Sequence, residues 1–240
     1  MPDKPKIGFY WCASCGGCEE SVVDLAEDIV MVADAVDIVF WPVAMDFKKA
    51  DVEAMDDGSI LATMVNGAIR TSEQEEMARL IRQKRKIVIA YGSCAHMGGI
   101  PSLANEFTRS QIMEFMYQES PSVVNPEKTR PMLSVKHNSM SVTLPEIRNL
   151  VRTLDQVIDV DYYLPGCPPT PKLLKDAVLT LLSGVLPPKG TVLSPDEALC
   201  DQCSRKETKP VDLSFKHFYR PHAVLLDNTK CLLSQGVICM

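Results

Sequence analysis

Two hydrophobic rhythms alternate along the first two-thirds of the chain: short unbroken apolar runs, and stretches with apolar residues at helical spacing. KIGFYW (6–11) has the length and composition of a buried strand. From Glu19 to Ala33, the spacing of Val22, Val23, Leu25, Ala26, Ile29 and Val30 predicts a helix with a buried face. VDIVFWPV (36–43) predicts a second strand, and ILATMVNGAI (60–69) a third that ends at Gly67. Ser72 predicts the cap of a helix running to Lys84, with Glu73, Glu75 and Glu76 in the first turn where the helix dipole favours negative charge. KIVIAYG (86–92) and VDYYLPG (160–166) read as the fourth and fifth strands, and Pro171 to Ser183 as the helix that follows. The Pro-, Ser- and Asn-rich segment 119–145 predicts a long irregular insertion, with a helix over 146–157 after it.

Strands alternating with helices imply a parallel sheet, because a parallel pair needs a crossover connection. Five such strands predict an α/β fold with a flavodoxin-like, doubly wound parallel sheet. GVLPPKG, after the last helix, reads as a linker, and strong periodicity is absent beyond it. The expected organisation is therefore a first domain over 1–185 and a smaller irregular region over 186–240. No internal repeat or low-complexity tract is visible.

Hydrophobic residues make up 46% of the 240 positions and charged residues 23%, the balance of a folded globular chain rather than a disordered or fibrous one. The net charge of −6 argues against a nucleic-acid partner, which needs a basic face for its phosphates. No apolar run is long enough to predict a membrane span. MPDKPKIGFYW turns straight into a strand pattern and lacks the features of a secretory signal, so the expected location is cytoplasmic.

Nine cysteines change the picture. A reducing compartment disfavours disulfides, and clustered thiols there read as metal ligands or redox centres. Cys12, Cys15 and Cys18 follow the first strand, Cys94 the fourth and Cys167 the fifth. In open α/β sheets the carboxyl ends of the strands share one edge, where ligands bind. Thiols far apart in sequence therefore converge there, and four thiolates suit a [4Fe–4S] cluster. Glycine stands beside each candidate in Cys15-Gly-Gly-Cys18, Gly92-Ser-Cys94 and Gly166-Cys167-Pro-Pro169. Such loops let the backbone wrap closely and direct N–H groups at sulfur. Zinc also accepts four thiolates and remains open on counting alone.

CASCGGCEES, GSCAHMGGIPS and LPGCPPTP, in this order and on these strands, resemble the small subunit of [NiFe] hydrogenases. The likeness is nearest to the gamma subunit of the F420-non-reducing, methyl-viologen-reducing type, which partners heterodisulfide reductase. VDIVFWPVAMDFK, VNGAIRTSEQEEMA, LCDQC and CLLSQGVICM extend the likeness over nearly the whole chain. The resemblance implies a proximal [4Fe–4S] cluster held by Cys15, Cys18, Cys94 and Cys167, next to the nickel–iron centre of a large partner subunit. Cys12 is then a spare thiol beneath the cluster loop. Glu19 and Glu20 serve the dipole of the following helix, with orientation of the loop or proton relay as a second role.

Cys200, Cys203, Cys231 and Cys239 could hold a second cluster. In the resembled family this region is ferredoxin-like and carries two clusters. The family pattern continues past the Cys-Met of Cys239-Met240 into a further Gly- and Cys-rich stretch, which this sequence does not contain. His96 lies in a cluster loop without the motif of a histidine ligand. His137, His217 and His222 read as surface residues, and Met31, Met45, Met55, Met64 and Met77 as core packing. No Gly-x-Gly-x-x-Gly follows a strand, so a dinucleotide site has no support.

The expected function is that of an electron-transfer subunit without nickel of its own. Electrons from H₂ oxidation on the large subunit would pass through iron–sulfur clusters to a downstream acceptor. An iron–sulfur delta-type subunit and heterodisulfide reductase are the partners that the resemblance implies. Two rivals stand beside it. One is a zinc-bound scaffold module. The other is the cluster subunit of quinone oxidoreductases, whose first motif has adjacent cysteines that this chain lacks.

Overall fold

The computed structural model describes residues 4–212 and 217–239. Residues 1–3, where the sequence was read for a secretory signal, and Met240 of the last motif lie outside the described residues. Five parallel strands form the central sheet: β1 (Lys6–Trp11), β2 (Asp37–Phe40), β3 (Ile60–Asn66), β5 (Arg85–Tyr91) and β9 (Tyr162–Leu164). Their order is β2-β1-β3-β5-β9, the doubly wound arrangement expected from the sequence. The register aligns the strand ends: Trp11 lies beside Asn66, Asn66 beside Tyr91, and Tyr91 beside Leu164. The chain therefore leaves β1, β3, β5 and β9 at one level, which brings the cysteine loops to a common edge.

Side chains alternate across the sheet and build two cores. On one face Phe9, Met64 and Ile89 pack with Val22, Leu25, Leu174 and Val178. These come from α1 (Gly17–Val23), the turn after it and α7 (Pro171–Ser183). On the other face Val65, Val88 and Ala90 pack with Met77, Ala78 and Ile81 of α4 (Ser72–Lys84). Val52 of the short helix α3 (Lys49–Glu53) joins this second core. The methionine reading holds for Met64 and Met77, whereas Met31 and Met45 are exposed.

Three sequence expectations need correction. The helix expected over 19–33 is two helices, α1 and α2 (Asp28–Ala35), separated by a turn in which Ala26 has φ +50°. The bend turns Leu25 into the core and leaves Val23 and Val30 in solvent, so the apolar stripe overstates the buried face. The cap of α4 is Thr71, not Ser72. Thr71 Oγ1 accepts from the Gln74 N–H, and Gln74 Oε1 accepts from the Thr71 N–H. Ser72 Oγ instead accepts from the Glu146 N–H at 2.9 Å.

The helix expected over 146–157 is a strand. Ile147–Arg152 (β8) pairs antiparallel with β4 (Ile69–Thr71). Glu75 holds Arg148 and Arg152 at 3.2 and 2.7 Å, and Asn105 bonds both backbone groups of Val151, which satisfies the strand. The segment 119–145, expected to be irregular, contains an exposed hairpin, β6 (Ser134–His137) with β7 (Met140–Thr143), and the short helix α6 (Arg109–Glu114) precedes it.

The chain divides into two compact units, one ending at Ser194 and one beginning at Pro195. Within the first, the segment after α7 runs along β9: the Tyr163 N–H donates to Thr191 O and the Leu193 N–H to Tyr163 O. The second unit is irregular, built of short 3₁₀ turns around four cysteines. Among the described residues no helix is long and apolar enough to cross a membrane.

Candidate metal centre

Three loops meet at the carboxyl edge of the sheet. The first leaves β1 and enters α1 with Gly16 at φ +90°. The Trp11 ring lies in van der Waals contact, 3.4 Å, with the position that a Gly16 Cβ would take. This loop carries Cys15, exposed, and Cys18, buried in the first turn of α1. The second loop leaves β5 through Gly92 and enters a short helix, α5 (Ser93–Met97), which carries buried Cys94. The third leaves β9 through Gly166 and carries exposed Cys167 before α7.

Hydrogen bonds lock the second and third loops together. The Gly92 N–H donates to Leu164 O at 2.8 Å, and the Ser93 N–H and Oγ both donate to Gly166 O, at 2.7 and 2.9 Å. The first loop is tied in through Ser21, whose Oγ donates to Cys18 O at 3.0 Å and hydrogen-bonds with Tyr91 Oη at the end of β5.

These contacts make the four thiols electrostatic neighbours. Burial pushes the Cys18 thiol up to about 12, and Cys94, Cys15, Cys167 and Glu19 add to the rise. Burial likewise raises Cys94, with Cys167 and Cys15 adding to it and the Ile100 N–H opposing. Four thiolates so placed repel one another unless positive charge lies between them, which is what a metal core supplies. Cys12 has no part in this. It is buried in the opposite core with Phe40, Val65 and Ala95, and burial alone holds its thiol far above the usual range.

The site also keeps side chains away from the sulfurs. A Cβ on Gly92 would lie 2.3 Å from Cys18 Sγ, and one on Gly99 2.8 Å from Cys94 Sγ. Backbone donors approach instead: the Gly17 N–H donates to Cys15 Sγ at 3.4 Å. Among the described residues, no three His, Cys, Asp or Glu side chains come close enough to hold a single metal ion. Four interacting thiols, with glycine at two positions where a side chain would strike a sulfur, suit a core bound by four thiolates. The residues present thus fit an iron–sulfur cluster.

Comparison with known proteins agrees. The family described as "NADH ubiquinone oxidoreductase, 20 Kd subunit" matches residues 15–181, beginning at the first of these thiols. The iron–sulfur subunit of the F420-non-reducing hydrogenase of Archaeoglobus profundus is 39% identical over 98% of this chain and 74% of its own length. Its counterpart in the F420-non-reducing hydrogenase of Methanothermobacter thermautotrophicus is 35% identical over 100% and 72%. The chain belongs to this family of F420-non-reducing hydrogenase subunits. It is accordingly an oxidoreductase subunit, with the catalytic centre on a partner subunit. A solved NAD⁺-reducing [NiFe]-hydrogenase contains a chain of the same fold, with TM-score 0.65 and 25% identity over 77% of this chain and 94% of that one.

In this hydrogenase subunit the second group of cysteines lies in the C-terminal unit. Cys200 is on the 3₁₀ turn Leu199–Gln202 and Cys203 caps it. Cys203 Sγ accepts from the Arg205 N–H at 3.4 Å. The Cys231 N–H donates to Thr208 Oγ1 at 2.7 Å, which joins the buried Cys231 to the segment that follows Cys203. Cys239 is half-buried beyond the turn at Gly236.

The sequence reading missed a polar cluster beside Cys18. Glu19 is buried rather than solvated at the helix start. Trp41 Nε1 donates to its Oε2, and Asn66 Nδ2 to its Oε1 at 2.6 Å. Burial raises its carboxyl above the usual range, and these two donors offset only part of the rise. The available signal was Asn66, a polar residue closing the apolar run of β3. His96 is half-buried with its ring 4.5 Å from Tyr163, and nothing places it as a ligand.

Proposed function

We propose that this chain is the electron-transfer subunit of its hydrogenase and that Cys15, Cys18, Cys94 and Cys167 hold a [4Fe–4S] cluster. One observation carries the reading: four thiols from three loops meet at one sheet edge, with glycine where a side chain would strike a sulfur. Such a cluster supplies one-electron transfer. The chain's own residues hold its corners, direct N–H groups at its sulfurs and bury one side of it.

H₂ is split at the nickel–iron centre of the large subunit, and the electrons enter here at the sheet edge. Trp11, Met97, Ile100, Leu103 and Phe107 are apolar and exposed on β1 and in the segment following Cys94. Exposed apolar side chains on the strand before Cys15 and in the segment after Cys94 support docking of the large subunit at this edge. Cys200, Cys203, Cys231 and Cys239 then hold a second [4Fe–4S] cluster as the exit. The acceptor is heterodisulfide reductase, reached through an iron–sulfur delta-type subunit in the cytoplasm.

The test is H₂-dependent dye reduction by this chain co-expressed with its large subunit. The complex should reduce the dye, the chain alone should not, and Cys94→Ser in the complex should abolish most of the rate. Dye reduction by the chain alone, or an unchanged rate in the Cys94→Ser complex, would overturn the assignment.

A further inference from the structure

Glu19 directly follows Cys18 and is 6% exposed. Each of its oxygens faces one neutral N–H donor, Trp41 Nε1 just after β2 and Asn66 Nδ2 at the end of β3. An ionised carboxylate is an acceptor only, and two donors on two oxygens match that form. Asn66 also donates to Tyr10 O at 3.3 Å and accepts from Ser14 Oγ at 2.9 Å; Ser14 Oγ in turn accepts from the Gly16 N–H at 3.3 Å. The carboxylate is thus fixed at the root of the Cys15–Cys18 loop by the ends of two strands. No Lys or Arg among the described residues forms an ion pair with it, although the chain pairs many of its other acids.

We infer that Glu19 is a potential-setting residue: a fixed, unpaired negative charge beside Cys18 that lowers the reduction potential of the cluster held there. The inference rests on the proposed cluster reading. Adding an electron next to an uncompensated anion is disfavoured, and a buried site screens the charge weakly. Trp41 and Asn66 keep the carboxylate at one distance without neutralising it, since both donors are uncharged.

The test is an EPR-monitored redox titration of the anaerobically reconstituted full chain. The relevant cluster is identified as the signal lost in Cys94→Ser. Glu19→Gln, nearly isosteric, should keep the wild-type iron content and shift the midpoint potential upward. Glu19→Asp keeps the charge while shortening the reach to Trp41 and Asn66, and should stay near wild type. A purely structural role predicts the reverse order, with the shorter acid perturbing more than the amide. An unchanged potential in Glu19→Gln, an equal shift in Glu19→Asp, or loss of iron in Glu19→Gln would overturn the inference. A wild-type chain without Cys94-dependent iron would instead remove the cluster reading itself.

Discussion

A side chain at Gly92 would place its Cβ 2.3 Å from Cys18 Sγ. Gly92 follows β5 and Cys18 lies in the first turn of α1, so the contact joins two loops, and the glycine keeps space at the sulfur that a methyl group would fill. Its φ of +83° with ψ +165° adds a second reason for glycine, because that region is essentially closed to L side chains and costs roughly 1–3 kcal/mol.

Gly92→Ala should therefore lower both stability and iron content. Gly58 separates the two effects: it also has positive φ, +68°, but nothing lies within 4 Å of its Cβ position. Gly58→Ala should lose roughly 1–2 kcal/mol while keeping its iron. Thermal unfolding and iron analysis of both variants check this. Full iron content in Gly92→Ala would contradict the claim that the glycine is there for the sulfur.

Much of the edge was legible because it depends on order rather than detail. Strands followed by Gly-Cys motifs must deliver those cysteines to one edge of a parallel sheet, whatever the helices do. The bounds of β1 and α7 were readable because each is bracketed by plain signals, such as Pro171 at the start of α7 and Gly184 at its end. What escaped is what tertiary pairing decides. IRNLVR carries no period that separates strand from helix, and only β4, Asn105 and Glu75 make it a strand. Glu19 looked like an ordinary first-turn acid because its partners Trp41 and Asn66 are distant in sequence.

Asp161 should govern part of the acid sensitivity of the fold. It is 3% exposed, and its oxygens take Arg82 Nη1 at 2.5 Å, Lys189 Nζ at 2.5 Å and the Val88 N–H at 2.8 Å. Burial raises its carboxyl, but Lys189, Arg82 and the Val88 N–H together hold it below the usual range. A depressed folded-state value stabilises the fold above the unfolded value, near pH 4, and this contribution is lost as pH falls through the folded value. Asp161→Asn should be roughly 1–3 kcal/mol less stable at pH 7, with the deficit shrinking below about pH 4. Urea unfolding across that range measures it. A deficit that does not change with pH would contradict the ion-pair account.

The most direct test of the central claim is iron and acid-labile sulfide per chain after anaerobic reconstitution, in wild type and in single cysteine variants. The account predicts about four irons and four sulfides lost in each of Cys15→Ser, Cys18→Ser, Cys94→Ser and Cys167→Ser, and none lost in Cys12→Ser. Stoichiometric zinc without sulfide in the wild type, or loss of iron in Cys12→Ser with none in Cys94→Ser, would contradict it.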